Sequence, residues 1–318
     1  MDPADVRSGF VNPPQQITTS GTHVNSHAVS LPGGDVLVVY PSRSVGDVDV
    51  FMKRAPFAAL ADTNTVEIPV AATDGAAEDA PFLALSGGLV TVFFRQSTGA
   101  TTHRWQYRRW QHATGTWFHD DIAGPSQLPT TADAYAPDFH AAVDTSGQVW
   151  AAFRPKAGWV QALRFNPATG LVTQEEPFDT TTDDRDPFVL CTRGGDVWVY
   201  WSGDDALYAR RFRNNVWEEP EQIPAIQGSA SSPCAVEQAD GAIWLFWALG
   251  DVGSADLAAV RRDPVSGGWG PLRQLVTSSG DDSGPFALVA PDDAIWIFWA
   301  SNRSGTANIY GKRLLTAV

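Results

Sequence analysis

One short apolar segment occurs six times in this chain of 318 residues, and this repetition limits the choice of fold more than any other feature. The six copies are DVLVVY (35–40), LVTVFF (89–94), QVWAAF (148–153), DVWVYW (196–201), AIWLFW (242–247) and AIWIFW (294–299). Their last aromatic residues are Tyr40, Phe94, Phe153, Trp201, Trp247 and Trp299, at intervals of 54, 59, 48, 46 and 52 positions. Intervals of this length are typical of the four-stranded blades of a β-propeller.

Each repeat divides into four predicted strands, A to D. Strand A begins at a small residue or proline, as in PFLAL (81–85), and a turn rich in Gly and Asp joins it to the aromatic strand B. Such residues supply the positive φ that hairpin turns require. A glycine-containing loop leads to strand C, which ends in basic residues, and strand D carries an aromatic residue followed by proline, as in VWEEPEQI (216–223). The repeat therefore predicts an antiparallel blade.

The sixth repeat has strands A, B and C, but its strand D is missing from the C-terminal end of the sequence. The segment GFVNPPQQITTSG (9–21) resembles GWGPLRQLVTSSG (268–280), which contains a strand D. We therefore predict that residues 9–20 supply the fourth strand of the last blade and close the ring. The predicted fold is all-β: a single six-bladed β-propeller over residues 1–318, with four antiparallel strands per blade.

Composition supports this fold and narrows the choice of partners. The 28 glycines, 22 prolines and 13 tryptophans favour short strands joined by tight turns. The formal charge of −14 at pH 7 would repel nucleic-acid phosphates and anionic lipids, so we expect neither nucleic acid nor membrane as a partner. Cys191 and Cys234 lack the spacing of metal ligands and are expected to be small core residues.

No signal peptide and no long apolar run are evident in the sequence. We therefore expect a protein that is cytoplasmic or exported by a non-classical route, and we expect a monomer. The tryptophans of strand B are expected to be core residues, because neighbouring blades cover both faces of each sheet. Trp150, Trp198, Trp244 and Trp296 should point to one face, and Trp201, Trp247 and Trp299 to the other.

Two families resemble the chain. ASNRSGTANIYGKR (300–313) resembles the strand–loop–strand of TolB-type repeats, in which a turn like Ser-Asn-Arg-x-Gly precedes Ile-Tyr. Over all six repeats the chain resembles the sialidase-like, or BNR-like, propellers of bacteria, although the Asp-box turn Ser-x-Asp-x-Gly-x-Thr-Trp is absent and SNRSGTAN has Arg303 in the Asp position. The fucose-binding fungal lectins are also six-bladed, but their sugar-binding residues have no match here. The resemblance implies a propeller fold and leaves the activity open.

Charged residues recur in loops that belong to one face of the predicted propeller. In an up-and-down blade the D-to-A and B-to-C loops share a face, and these are the longer and more variable loops, where binding residues usually cluster. We predict ligand-binding residues among them: Asp79, Asp133, Asp184, Asp186, Asp281, Asp282, Arg43, Arg95, Arg154 and Arg303. Glu78, Asp183, Asp47, Asp204, Asp205 and Asp251 belong to the same loops.

A ring of carboxylates and guanidiniums could act in three ways. It could hydrogen-bond sugar hydroxyls, hold Ca²⁺ through oxygen ligands, or grip an acidic ligand through bidentate arginines. In the plainer interpretation the aspartates cap turns and pair with the arginines. Beyond Ca²⁺ no cofactor is predicted.

Three functions follow from this face. The leading hypothesis is a non-enzymatic, lectin-like module that binds a carbohydrate or another polar ligand. The alternatives are a protein-interaction propeller of a larger extracellular or tail-like assembly, and a glycosidase- or lyase-type enzyme built on a pair of carboxylates. We predict no catalytic residue, because the sequence has no Gly-x-Ser-x-Gly, no His-Glu-x-x-His and no phosphate loop.

The most basic segment is HRWQYRRWQH (103–112), which falls on strand C of the second repeat. We interpret its alternation as the pattern of a strand and not as a nucleic-acid patch. The basic residues that end the other C strands are expected to meet Asp and Glu of neighbouring strands.

Overall fold

A computed structural model of the chain describes residues 26–42, 47–56, 65–99, 103–128, 138–156, 159–178, 183–224, 228–251, 253–277, 280–290, 292–305 and 308–314. These residues divide into two compact units. The N-terminal unit lies within Pro14–Lys156 and Gln161–Glu176, and the C-terminal unit lies within Pro177–Val318 together with Ala157–Val160.

The N-terminal unit contains two sheets and most of a third. The first sheet is β1 (His27–Ser30), β2 (Asp35–Ser42), β3 (Asp49–Pro56) and β4 (Glu67–Ala71). The second is β5 (Ala77–Ser86), β6 (Leu89–Ser97), β7 (His103–Gln111) and β8 (Thr116–Trp117), with β9 (Ser126–Gln127) also paired to β7. The third is β10 (Phe139–Val143), β11 (Val149–Lys156), β12 (Trp159–Phe165) and β13 (Val172–Phe178).

The C-terminal unit contains three more sheets. The fourth is β14 (Arg185–Cys191), β15 (Val197–Gly203), β16 (Ala206–Arg213) and β17 (Val216–Trp217), with β18 (Glu221–Gln222) also paired to β16. The fifth is β19 (Ala230–Glu237), β20 (Ile243–Leu249), β21 (Asp256–Arg262) and β22 (Arg273–Val276). The sixth is β23 (Asp282–Val289), β24 (Ile295–Ser301) and β25 (Asn308–Leu314).

The predicted all-β fold class is confirmed. In the described part of the chain six sheets of three to five strands follow one another in sequence, which is consistent with a six-bladed propeller. The aromatic repeats form the second strand of each sheet and end two or three residues before that strand does. The sixth sheet shows three described strands, and the predicted closing strand 9–20 lies outside the described residues. No helix that the structure describes has the length and hydropathy of a membrane span.

Strand A begins earlier than predicted in four of the described sheets, because it contains a β-bulge. The register shifts between Asp79 and Phe82, Arg185 and Phe188, Ser231 and Cys234, and Ser283 and Phe286. Each bulge has a residue with positive φ followed by proline: Ala80 (48°), Asp186 (52°), Ser232 (53°) and Gly284 (58°). Proline fits there because a bulged residue needs no N–H for the ladder. The strand therefore continues past the proline to the acidic residues before it.

The strand-B aromatics form the cores between sheets, as predicted, except Trp296 and Phe298, which share one face of the sixth sheet. Tyr200 and Trp247 pack between the fourth and fifth sheets, and Trp244 and Trp299 between the fifth and sixth. Trp150, Trp198 and Trp201 are also buried. Trp296, however, is only half-buried, because the fifth sheet packs on the opposite face of β24. On the same face as Trp296, Phe286 is 53% and Leu288 is 41% exposed.

The basic residues that end strand C meet carboxylates, as expected from the sequence. Arg54 contacts Asp35 at 2.8 Å, Arg261 contacts Asp240 at 2.8 Å, and Arg313 contacts Asp292 at 2.7 Å. In these three pairs the aspartate belongs to the start of strand B or to the A-to-B turn before it. Exposed pairs of this kind contribute about 0–1 kcal/mol each, so they fix the turns more than they stabilise the fold.

Two of the three arginines in segment 103–112, Arg108 and Arg109, make internal contacts, whereas Arg104 is exposed. Arg109, only 2% exposed, forms an ion pair with the fully buried Asp121 in a turn of 3₁₀ helix at His119–Asp121. Arg108 lies over the ring of Trp117 at 3.9 Å and donates hydrogen bonds to backbone carbonyls, including that of Val70 at 3.0 Å. Both cations are thus engaged in internal contacts.

Candidate ligand-binding site

The site predicted from the sequence lies where strand A starts and strand B ends. The bulges bring Asp79 into β5 and Asp186 into β14, and Asp282 is the first residue of β23. Arg95 and Arg154 lie near the ends of β6 and β11, and Arg303 follows β24. Arg43 and Asp133 lie outside the described residues. Each of the two units carries its own set of these residues.

In the N-terminal unit, Asp79 and Arg95 are direct cross-strand neighbours. Arg95 donates from Nε to Asp79 Oδ1 at 2.8 Å and from Nη2 to Oδ2 at 2.6 Å. This bidentate geometry fixes both side chains and cancels their charges. The arginine side chain is 13% and the aspartate side chain 34% exposed, so the pair has an edge that a ligand can reach.

The third sheet has a similar pair, which includes a residue that the sequence reasoning missed. Arg154 Nη1 lies 3.9 Å from Asp138 Oδ2, and the Arg154 backbone N–H donates to the Asp138 carbonyl at 3.2 Å. Asp138 directly precedes β10, whose Phe139 is paired with Phe153. Because Phe139 pairs with Phe153, extending the hairpin by one residue on each strand would have placed Asp138 beside Arg154.

In the C-terminal unit, Asp282 and Arg303 form the corresponding pair. Arg303 Nη2 donates to Asp282 Oδ1 at 2.5 Å, and Trp299 Nε1 donates to the same oxygen at 3.0 Å. The carboxylate is fully buried, whereas the guanidinium is 24% exposed and lies 4.6 Å from the ring centre of Tyr310. Burial of the aspartate makes the arginine the part of this pair that faces solvent.

Two further predicted aspartates cap backbone amides of a neighbouring segment. Asp281 Oδ1 accepts hydrogen bonds from Gly253 N at 3.0 Å and Ala255 N at 3.1 Å. Asp186 Oδ2 accepts one from Ser232 N at 3.0 Å, so the bulge of the fourth sheet holds the bulge of the fifth. These contacts are those of the plainer interpretation, in which the acids organise the loops.

Asp184 is fully buried in the fourth sheet's D-to-A loop. Burial first, and then the charges of Asp184 and Asp204, raise the pKa of Tyr208. Arg185 forms an ion pair with Asp183 in the same loop.

Four carboxyl groups gather where the first sheet meets the second. Asp47 and Asp49 come from the B-to-C loop of the first sheet and the start of β3, and Asp74 and Glu78 from the following D-to-A loop and the start of β5. Burial, followed by repulsion from Asp47 and Asp74, raises the pKa of Asp49. Burial also raises the pKa of Glu78, with the charge of Asp49 adding to the shift against opposing hydrogen bonds.

Two histidines on the inner strands were not anticipated. His27 of β1 stacks on Phe82 of β5 with 4.0 Å between ring centres, and His140 of β10 meets the same ring edge-on at 5.1 Å. Burial lowers the pKa of His27 to about 4, and burial together with the nearby His27 lowers the pKa of His140 to about 3. A single histidine within a strand pattern does not indicate that its ring will pack against an aromatic ring of a neighbouring strand.

No three His, Cys, Asp or Glu side chains form a metal-binding group within the ranges that the structure describes. No protein-family model matches the chain, and no curated protein matches its sequence.

Solved structures do match. NanB sialidase from Streptococcus pneumoniae aligns with a TM-score of 0.64 and 9% identity over 99% of this chain and 73% of its own. The chain has a sialidase-like fold. The intramolecular trans-sialidase from Ruminococcus gnavus aligns with a TM-score of 0.59 and 8% identity over 93% and 95% of the two chains.

A protein of unknown function from Dyadobacter fermentans aligns with a TM-score of 0.63 and 12% identity over 92% of this chain and 94% of its own. Identities of this size show a similar fold alone. The likeness therefore assigns no role to the residues of the site.

Proposed function

We propose that this protein is a non-enzymatic recognition module that binds a carbohydrate or another polar ligand at the D-to-A and B-to-C loop ends. The observation that carries the proposal is the Asp79–Arg95 pair, a bidentate and partly exposed pair on two rigid strands. The Asp282–Arg303 pair repeats the same combination in the other unit.

The chemistry of the Asp79–Arg95 pair suits hydroxyl groups. The two bonds to Asp79 use Nε and Nη2 of Arg95, so Nη1 remains without a hydrogen-bond partner in the described part of the chain. A sugar hydroxyl both donates and accepts, and neighbouring hydroxyls can therefore contact the carboxylate and Nη1 together. Because the strands already hold the pair in place, little side-chain entropy is lost on binding.

The same contacts weigh against an enzyme. A glycosidase places two carboxyl groups on either side of the scissile bond, one as acid and one as base or nucleophile. At these loop ends Asp79 and Asp282 are engaged by arginines, and Asp281 by backbone amides. We therefore favour binding without turnover.

A glycan array followed by isothermal titration calorimetry, with and without Ca²⁺, tests the proposal. Asp79→Asn should weaken binding of any glycan found by about ten-fold or more, since it removes a charged acceptor. Asp240→Asn is the matched control, because it breaks an Asp–Arg pair that belongs to an A-to-B turn. Absence of binding to every glycan, with or without Ca²⁺, would overturn the carbohydrate form of the proposal. Steady hydrolysis of fluorogenic glycosides that disappears in Asp79→Asn would overturn its non-enzymatic form.

A protein-binding role is the second candidate, and the sixth sheet favours it. Phe286, Leu288 and Ile309 are 53%, 41% and 74% exposed, which is unusual for large apolar side chains of a sheet. A pull-down with purified protein in excess free sugar would separate the two roles. A partner that is retained under these conditions and lost in Phe286→Ser would support protein binding.

A further inference from the structure

A second polar pair lies beside the Asp79–Arg95 pair on the second sheet. Ser97 Oγ and His103 Nδ1 are 2.6 Å apart, a short hydrogen bond between the last residue of β6 and the first residue of β7. The two residues are direct cross-strand partners, as Asp79 and Arg95 are, and both are partly exposed. The strands therefore hold this pair in a fixed place that a ligand can reach.

The two pairs lie on the same side of the sheet. Side chains two residues apart on a strand point the same way, so Arg95 and Ser97 share one side of β6. Gln96 lies between them in the sequence and points to the other side, where its amide takes part in other hydrogen bonds. The side chains on the first side are named the polar row: Asp79, Arg95, Ser97 and His103.

Each pair of the polar row leaves one nitrogen for a ligand. The Ser97 hydroxyl engages His103 Nδ1, and His103 Nε2 has no hydrogen-bond partner among the described residues. The bidentate contact with Asp79 likewise leaves Nη1 of Arg95. The bond to Nδ1 fixes the imidazole ring, so Nε2 is held in one direction. Because residues two apart on a strand are about 6.6 Å apart, groups on neighbouring sugar units can reach the two nitrogens.

The same side of the sheet has a buried donor without an acceptor. Trp105 is the cross-strand partner of Arg95 on β7, and it is fully buried. Its Nε1 has no hydrogen-bond partner within the ranges that the structure describes, although buried N–H groups normally have one. The described contacts therefore lack one acceptor beside the polar row, and a bound hydroxyl can supply it directly or through a water.

We propose that the polar row is one continuous site for an uncharged oligosaccharide, with one sugar unit at Asp79–Arg95 and the next unit at Ser97–His103. This inference rests on the proposed carbohydrate-binding function and names its ligand class. Ser97 and His103 are then the residues that select a chain of sugars over a single sugar. Their mutual hydrogen bond can run in either direction, so His103 Nε2 can donate to a hydroxyl or accept from one.

The charges of the polar row favour an uncharged ligand. The carboxylate of Asp79 and the guanidinium of Arg95 cancel one another, so this pair leaves no excess charge of either sign. The formal charge of the whole chain is −14 at pH 7, which disfavours an anionic glycan. A cationic glycan would have to compete with Arg95 for Asp79, which already accepts two hydrogen bonds from it.

Unbranched oligosaccharides of glucose, N-acetylglucosamine, mannose and galactose, from one to four units long, are the probes. For a series that binds, calorimetry at pH 7.5 should show about ten-fold higher affinity, or more, for the disaccharide than for the monosaccharide. Ser97→Ala and His103→Ala should each remove most of this increase and leave the affinity for the monosaccharide unchanged. The double variant should lose no more than either single variant, because the two residues act as a pair.

His112→Ala is the matched control, because it makes the same change just beyond the other end of β7 and should keep the increase. Equal affinity for monosaccharide and disaccharide would overturn this inference and leave carbohydrate binding intact. So would an increase that persists in Ser97→Ala and His103→Ala, an equal loss of affinity for both sugars in these variants, or binding of charged glycans alone. Absence of binding to every glycan, with or without Ca²⁺, would overturn the carbohydrate form of the proposed function and this inference together.

Discussion

Removal of Asp121 should destabilise the N-terminal unit more than the loss of any exposed ion pair. Asp121 is fully buried and accepts three hydrogen bonds from Arg109: from the backbone N–H at 2.7 Å, from Nε at 2.8 Å and from Nη2 at 3.1 Å. Asp121→Ala leaves the guanidinium charged and 2% exposed, beside the Pro167 carbonyl at 3.0 Å and the faces of Phe118 and Tyr107.

The expected cost follows from these contacts. Hydrogen bonds to charged groups contribute about 1.5–3 kcal/mol each, so three such bonds set an upper limit of about 5–9 kcal/mol. Relaxation and water entry reduce this, and breaking a buried pair by removing one partner costs about 3–5 kcal/mol in general. We therefore expect the free energy of unfolding to fall by about 3–5 kcal/mol.

Urea unfolding followed by tryptophan fluorescence measures this change. Asp240→Ala, which removes an exposed partner of Arg261, is the control and should cost about 0–1 kcal/mol. If Asp121→Ala does not fold, the double variant Arg109→Met with Asp121→Leu should recover a folded protein, because two apolar residues leave no buried charge. An Asp121→Ala variant within about 1 kcal/mol of the wild type would refute the reasoning.

Three more predictions concern the inner strands, the loop of the sixth sheet and the N-terminus. Burial lowers the pKa of His27 to about 4 and of His140 to about 3, so the unfolded chain takes up these protons first and stability should fall as the pH drops below about 6.5. His140→Gln should reduce this loss between pH 7 and pH 5 by about 1–2 kcal/mol in urea unfolding. A Cβ on Gly280 would lie 2.5 Å from Arg303 N, so Gly280→Ala should cost about 1–3 kcal/mol and weaken ligand binding. Deletion of residues 1–20 should lower the melting temperature, because it removes the predicted closing strand.

Each of these predictions has a matched comparison. His119→Gln replaces an exposed histidine outside the inner strands and is the control for His140→Gln. Gly99→Ala adds a Cβ that meets nothing within 4 Å and should have little effect. The reasoning fails if a control and its test variant behave alike, or if the truncated chain melts like the full one.

The sequence predicted the second strand of each sheet well, because that strand is apolar on both faces and ends in an aromatic residue. The start of strand A was predicted too late in the sequence, because a β-bulge depends on the conformation of the backbone. Ala80 adopts a positive φ, and its residue type does not indicate this. The proline after it looked like a strand boundary, whereas it lies inside β5.

The candidate site was predictable in residue type but not in pairing. Asp79 and Arg95 were both identified, yet their mutual contact depends on the cross-strand register, which differs from simple hairpin counting because of the bulge. Asp138 was missed although its sheet shows no such shift, because the residue that faces Arg154 follows only from the pairing of Phe139 with Phe153. His27 and His140 meet at Phe82 only through the packing of three inner strands, a long-range contact that no local pattern records.

The proline-bearing bulge has a consequence for solubility during folding. Each strand A pairs on one side only and is therefore the edge of its sheet in the described structure. Unpaired strand edges are templates on which other chains can add strands and aggregate. Pro81, Pro187, Pro233 and Pro285 remove an N–H from that edge, and the bulge twists it away from a regular ladder. Partly folded chains are thereby protected from strand exchange at those edges until neighbouring sheets have packed.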